Sequence, residues 1–515
     1  MATASVPTKS PLSTVIGVGV GNKRAGIVCP ACPARRVNRL KRVSEHEMKT
    51  SNPSPLFDPS NHTSSRRVFL ERSGTGFGAL ALAGVMQSEN AGAAQALSPL
   101  APKQPHFPVK AKRVIHIFAQ GGPSHIDTWD PKPELTAQDG KTLPGKNGLA
   151  YGSPFKFTPK GRSGLAMSEV WPKLGEYADD MTVVRSMFTD IPAHDVSTVM
   201  MNTGSLRIIK PSIGSWMVFG LGTMNQNLPG FISLRPGGNP PGASKNWNSA
   251  FLPGVYQGTA INTSIKEVSK MIANIKNPYT SLEAQRMQLD LIHKLNFKHS
   301  QKLSKNAALE SRLEAYEMAF KMQTEATEVF DVSKEPEKIR ERYGVTTTQG
   351  RQMLMARRLL ERGVRFVQVW AGGWDHHNNL QTALPARARE IDGPLAAFVE
   401  DLKERGMLDS TLIIWNGEFG RTVTAGGDGA SRGRDHNARA FSTVLMGGGA
   451  KGGVAYGQTD EFGHASVENK VHIHDLHATV LALMGFDHTK LTYRYNGRDF
   501  RLTDNFGNVV TKIIA

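Results

Sequence analysis

Cysteine is almost missing from this chain. The two present, Cys29 and Cys32, fall in the first 40 of 515 residues and are spelled "CPAC". Everything downstream folds without a disulfide and has no cysteine nucleophile. A CxxC pair suits a redox centre or half a zinc site. With no second pair and no βαβ context around it, neither role is expected. Aromatic residues are also sparse at 7%, and no basic run interleaves with them. No nucleic-acid motif is present either, so no nucleic-acid partner is expected. Long apolar runs are lacking too. The run from about Gly74 to Met86 is too short to span a bilayer comfortably, and no stable membrane span is expected.

What is present fits a large globular chain. Hydrophobic residues make up 39% and charged residues 21%, and the length suggests one large domain with insertions, or two domains. The formal net charge of +17 is uneven, because residues 1–96 hold 12 Lys+Arg against 5 Asp+Glu. The basic remainder favours an anionic substrate or surface.

The basic leader has internal order. "SSRRVFLERSGTGFGALALAGVMQ" carries Arg66-Arg67, then Phe69-Leu70, then the Gly/Ala-rich apolar run; "AGAAQA" follows with an A-x-A cleavage site at Ala94-Gln95-Ala96. This is the layout of a twin-arginine signal peptide. It implies the twin-arginine export machinery as a partner and a periplasmic or extracellular destination. Residues 1–47 are irregular, and Met48 is the more usual kind of start, so 1–47 reads as a mis-called start. The expected division is a leader with signal peptide at 1–96 and an α/β domain at 97–515.

Within that domain, "RVIHIFAQGG", "DDMTVVRSMF" from Met181 to Ser186, and "PGFISLRP" read as strands. Residues 281–330 change to Leu, Glu, Lys, Met and Ala at helical spacing and read as a helical insertion. Then helices and strands alternate: "GRQMLMARRLLERG", "VRFVQVW", a helix interrupted near Gly393-Pro394, "STLIIWNGEFGRT", "FSTVLMGGG" and "HDLHATVLALMG". Alternation of this kind predicts a doubly wound, largely parallel sheet sandwiched by helices. Functional groups gather beyond the carboxyl ends of such strands. "GGWDHHNN" and "GEFGRT" sit at that position, and "GRDHN" reads as the loop before the next strand.

The candidate constellation is His125, Asp127 and Asp130 in "GGPSHIDTWDPKP", His194 and Asp195, Asp375 with His376 and His377, Glu418, and Asp435 with His436. Mixed carboxylates and imidazoles suit Mn²⁺, Zn²⁺ or Fe better than Ca²⁺. The expected cofactor is a divalent metal ion from among these four. Such an ion polarises a phosphoryl or sulfuryl oxygen and acidifies water. Arg421, Arg432 and Arg434 offer forks for an anionic group. His472, His474 and His477 flank a helix start, which Asp475 is expected to cap.

The twin-arginine leader, "GGPSHIDTWDPKP", "AHDVSTVMMNTG", "GGWDHHNN", "EFGRT", "GRDHN" and "HDLHATVLALMG" occur in this order. Together they resemble the exported bacterial family filed as domain of unknown function 1501. That family is similar to sulfatases and to the wider alkaline phosphatase superfamily. The resemblance implies a metal site at the carboxyl edge of the sheet. "STLIIWNGEFGRT" is similar to a sulfatase stretch like TLVIFTSDNG, which places Glu418 at a metal-binding Asp position and Phe419 at an Asn or His position. "HDVSTVMMNTG" is similar to the nucleophile stretch CxPSRxxLLTG, which places His194 at the nucleophile position and excludes formylglycine chemistry. The resemblance thus implies His194 as the catalytic residue. It implies Asp127, Asp375, His377, Glu418, Asp435 and His436 as metal ligands, with His376 the alternative to His377. Arg421, Arg434 and His125 would bind substrate. The expected function is a metal-dependent hydrolase of sulfate or phosphate esters acting on an anionic small molecule or a sulfated or phosphorylated glycan. The alternative is a non-catalytic polysaccharide- or envelope-binding protein on a degenerate form of the same fold.

Overall fold

Apolar runs of five or six residues build the middle of one sheet, because each is buried on both faces and must pair its backbone within the sheet. In the computed structural model the strands of the main sheet and of the hairpin beside it are β1 (Arg113–Phe118), β2 (Met181–Phe188), β3 (Phe231–Arg235), β4 (Thr259–Asn262), β5 (Phe366–Trp370) and β6 (Thr411–Asn416). They continue with β7 (Gly420–Gly426), β8 (Gly433–Asn437), β9 (Phe441–Met446), β10 (Val454–Tyr456) and β11 (Val471–His472). The main sheet runs β10-β2-β9-β6-β1-β5-β3-β4, with β11 also paired to β2. Only β9 is antiparallel to its neighbours in it. The structure describes residues 98–272, 279–302, 307–427 and 429–515, which fall in one compact unit. The expected leader with its twin-arginine pattern, and both cysteines, lie outside the described residues. Among the described residues, no helix is long and apolar enough to cross a membrane.

Among the helices are α1 (His125–Thr128), α2 (His194–Thr203), α3 (Ile213–Leu221), α4 (Leu282–Lys302), α5 (Ala307–Val329), α6 (Thr348–Glu361), α7 (Leu380–Glu404) and α8 (Ile473–Leu483). Successive strand residues point to opposite faces, and the core divides accordingly. Ile115, Ile117, Val367, Val369, Ile413 and Trp415 face a core shared with α5, α6 and α7. Val114, Phe118, Phe366, Trp370, Leu412 and Ile414 face the core of α2, α3 and α8. The sheet is therefore covered on both sides, as its continuous apolar strands predict.

The second face also carries polar residues. Gln368 donates to Asn202 of α2 at 2.7 Å, His116 meets Asn416 at 2.9 Å, and the Met201 carbonyl accepts from His477 Nε2 at 2.8 Å. The bonds to Asn202 and Met201 fix the rotation of α2 above the sheet, since each buried polar group needs its partner.

Two expectations are corrected. "GRDHN" is not a loop: it is strand β8, antiparallel to β7, with His436 opposite Arg421. Gly433 and the Thr–Val–Thr run of β7 let the two segments close into a ladder outside the main sheet. The interruption near Gly393-Pro394 does not occur either. α7 runs unbroken for 25 residues through Pro385 and Pro394. Burial of Ile391, Leu395, Phe398, Val399 and Leu402 along one stripe outweighs the lost backbone bond. The helical insertion is present as α4 and α5, and Asp475 caps α8 as expected, accepting from His472 N at 2.9 Å.

Candidate metal centre

The register brings three loops to one point. Phe118 at the end of β1 lies opposite Trp370 of β5 and Asn416 of β6. The turns that follow these three adjacent parallel strands therefore start level, at the sheet's carboxyl edge. The β5 loop is pinned by Trp374, which is fully buried against Trp171 and Trp415 and donates to the Ala371 carbonyl at 2.8 Å. Beyond this anchor, Asp375 and His377 are presented at the edge. Gly121 has φ +116°, and a Cβ there would lie 2.6 Å from the Asp375 nitrogen. Glycine is required at this close approach. The β7–β8 hairpin brings Asp435 and His436 to the same edge, and α2 brings His194 on its first residue.

Three imidazoles share one orientation. His194 Nδ1 meets Glu418 Oε1 at 2.5 Å, His377 Nδ1 meets Asp435 Oδ1 at 2.9 Å, and His436 Nδ1 meets the Pro192 carbonyl at 3.0 Å. Each partner is an oxygen acceptor, so a cation bound through the Nε2 atoms would leave the proton on Nδ1 in all three rings. All three Nε2 atoms then turn toward Asp375. His377 Nε2 is 3.0 Å and His436 Nε2 3.2 Å from Asp375 Oδ1, and the two Nε2 atoms are 2.9 Å apart. His194 Nε2 lies 3.3 Å from Asp375 Oδ2, yet it is buried without a hydrogen-bond partner. Donor atoms of His194, Asp375 and His436 all lie within 4.8 Å of one another. Lone pairs set this close repel unless a proton or a cation lies among them. Imidazoles held through Nδ1 by carboxylate or carbonyl oxygen are the usual supports of a metal site. The residues fit a divalent ion bound by nitrogen and one carboxylate.

Electrostatics keep Asp375 and His436 in ligand form. Partial burial works against Asp375, but the hydrogen bond and charge of Arg421 outweigh it and hold its carboxyl at about 2. Burial, and then the Arg421 charge, lower His436. Burial also opposes protonation of His194, but the hydrogen bond and charge of Glu418 and the charge of Asp375 prevail and raise it. His376 is different. Burial lowers it to about 4, and its ring packs edge-on to Trp374. Of the two adjacent histidines, His377 joins the converging set.

The remaining expected residues take other positions. Glu418 is fully buried, accepts from the Gly121 N–H at 2.9 Å, and stands behind His194. Asp435 stands behind His377. Asp127 is not among the converging groups: it pairs with Arg434 through bonds of 2.7 and 3.1 Å, both side chains being fully buried. Arg421 is fully buried and donates to Asp375, to the Gly121 and Gly122 carbonyls and to the Arg434 carbonyl. Both guanidiniums are committed inside the protein. His125 starts α1 and bonds the Gly463 carbonyl at 2.8 Å. Asp130 binds Thr459 and Lys132. Phe419 packs against both His194 and His436, forming an apolar wall of the site. Sequence reasoning missed the Pro192 carbonyl, because a backbone acceptor has no sequence signature. It also missed the role of Trp374, whose only signal was a large aromatic directly before Asp375.

No curated protein sequence matches this chain. Several solved structures resemble it at low identity. Ps i-CgsB in complex with k-i-k-neocarrahexaose aligns at 12% identity over 73% of this chain and 72% of that one, with a TM-score of 0.33. The PsFucS1 sulfatase from Pseudoalteromonas sp. aligns at 13% identity, over 73% and 68%, with a TM-score of 0.31. Alkaline phosphatase from the Antarctic bacterium TAB5 aligns at 11%, over 70% and 97%, with a TM-score of 0.30. Residues 111–514, which carry every converging side chain described above, match the family model described as "Protein of unknown function (DUF1501)", and the chain belongs to that family.

Proposed function

We propose that this chain is an exported, metal-dependent hydrolase of sulfate or phosphate esters. One observation carries the reading: three histidines, each held through Nδ1 by an oxygen acceptor, turn their Nε2 atoms toward the Asp375 carboxylate at the sheet's carboxyl edge. His194, His377, His436 and Asp375 would hold the ion. A divalent ion there would polarise the ester's anionic oxygen and activate water. Glu418 orients His194, Asp435 orients His377, and the Pro192 carbonyl orients His436. Arg421 positions Asp375 and keeps it ionised. Glu418 raises His194, so an ion bound at its Nε2 would displace a proton from that nitrogen. Export rests on the twin-arginine pattern in the leader.

The test is elemental analysis of the protein recovered from an exporting host, followed by turnover on sulfate and phosphate ester panels. Stoichiometric Mn, Zn, Fe or Ca that is lost in Asp375→Asn, with turnover lost in parallel, is the expected outcome. No metal after reloading would overturn the reading.

A second reading, a non-catalytic polysaccharide- or envelope-binding protein, is favoured by one feature. Arg421 and Arg434 are spent on internal contacts, so neither fork is free for a substrate anion. That reading predicts glycan binding that survives Asp375→Asn, with no turnover in the parent protein.

A further inference from the structure

α4 has a face that nothing in the described structure uses. One side of this helix packs on α5: Arg286 binds Glu317 at 2.7 Å and lies over Phe320, Gln285 binds Gln323 at 2.8 Å, and His293 lies 3.6 Å from Glu317. The opposite side carries Met287, Leu291 and Leu295, recurring every four residues, with exposures of 66, 52 and 58%. At 3.6 residues per turn these three form one stripe. Exposed Lys294 and Lys298 fall between and beside them. From residue 291 to the end of the helix there is no Asp or Glu. A surface helix that leaves such a stripe to water needs an explanation in a chain with a well-filled core.

The geometry points to α4 as an interfacial helix that docks this protein on an anionic lipid surface. Apolar side chains at helical spacing enter the headgroup boundary, while lysines beside them extend to the lipid phosphates. Charge favours this occupant over a second copy of the chain, because the half of the stripe from residue 291 onward carries lysines and no carboxylate, and two such halves in contact would oppose lysine to lysine. It also favours lipid over an uncharged protein groove, which would leave the lysines without counter-charge. This inference does not depend on the hydrolase reading.

The test is co-sedimentation of the full chain with vesicles of phosphatidylglycerol and phosphatidylcholine, and with vesicles of phosphatidylcholine alone, at low and raised salt. Binding is expected to the anionic vesicles alone and to weaken as salt screens the charges. Lys294→Gln with Lys298→Gln should weaken it about thirtyfold. Leu291→Ser with Leu295→Ser should abolish it. These positions face water, so the variants keep the fold, and the leader is common to all of them, so differences between them report on α4. Equal binding by parent and variants, or no binding by the parent, would overturn the proposal. So would a concentration-dependent dimer that the leucine variants dissolve without any vesicle binding.

Discussion

Asp375 alone would be a surface carboxylate; three imidazoles turned toward it make it a centre. The orientation depends on what each Nδ1 meets, and this gives a direct prediction. Glu418→Gln keeps the shape but removes the charge behind His194, and metal affinity should fall by about 10–100-fold, as read by chelator competition. Unchanged affinity would show that Glu418 does not support the site. Arg434 tests a different idea. Its partner Asp127 is fully buried, so Arg434→Met leaves an uncompensated charge. That should cost about 3–5 kcal/mol in denaturant unfolding, and Asp127→Leu with Arg434→Met should recover much of it. The side-chain chemistry was legible at this scale; the pairing was not. Arg434 read as a fork for an anion because it sits in "GRDHN", whereas its partner is 307 positions away. No local pattern encodes a contact across that distance.

Among the elements, the β7–β8 hairpin decides whether His436 and Asp435 arrive. Gly433 lies against the backbone of the β5 loop, and a Cβ there would sit 2.2 Å from the His377 carbonyl atoms. Gly433→Ala should therefore displace His377. A stability loss of about 1–3 kcal/mol in thermal unfolding is expected, together with weakened metal binding. A variant with unchanged metal affinity would show that the loop has room. This hairpin was the element least legible in the sequence. "GRDHN" has no apolar alternation, and only pairing with β7 makes it a strand. The apolar runs at β1, β5, β6 and β9 were legible because both of their faces are buried. α7 was read as broken because proline opposes helices locally, and packing of its apolar stripe prevailed.

Across the whole molecule, buried neutral histidines tie stability to pH. Burial is the main cause that holds His116 at about 4 and His477 at about 3, against an ordinary 6.5, and both rings are at least 95% buried. Above pH 6.5 both are neutral in the folded and unfolded chains and contribute no pH dependence. Below 6.5 the unfolded chain takes up protons that the folded chain refuses, so stability falls as pH drops toward the folded values. At pH 5 each should cost about 2 kcal/mol relative to pH 7. Unfolding curves at the two pH values, for the parent and for His477→Gln, measure this. A smaller pH dependence in the variant is expected, and an identical one would show that His477 titrates normally.

Composition, apolar periodicity and motif order determined the class of fold, the helical insertion and the set of residue types that gather at the sheet edge. They did so because burial of apolar runs and helical spacing are local properties, written in consecutive residues. The tertiary structure alone decided that His377 rather than His376 faces the centre, and that Asp127 and Arg434 bind each other. It alone decided that Glu418 and Asp435 stand behind histidines rather than among the converging donors. Those outcomes depend on strand order, register and the rotation of α2 over the sheet. These are set by contacts between segments hundreds of residues apart, and no single stretch of the chain carries them.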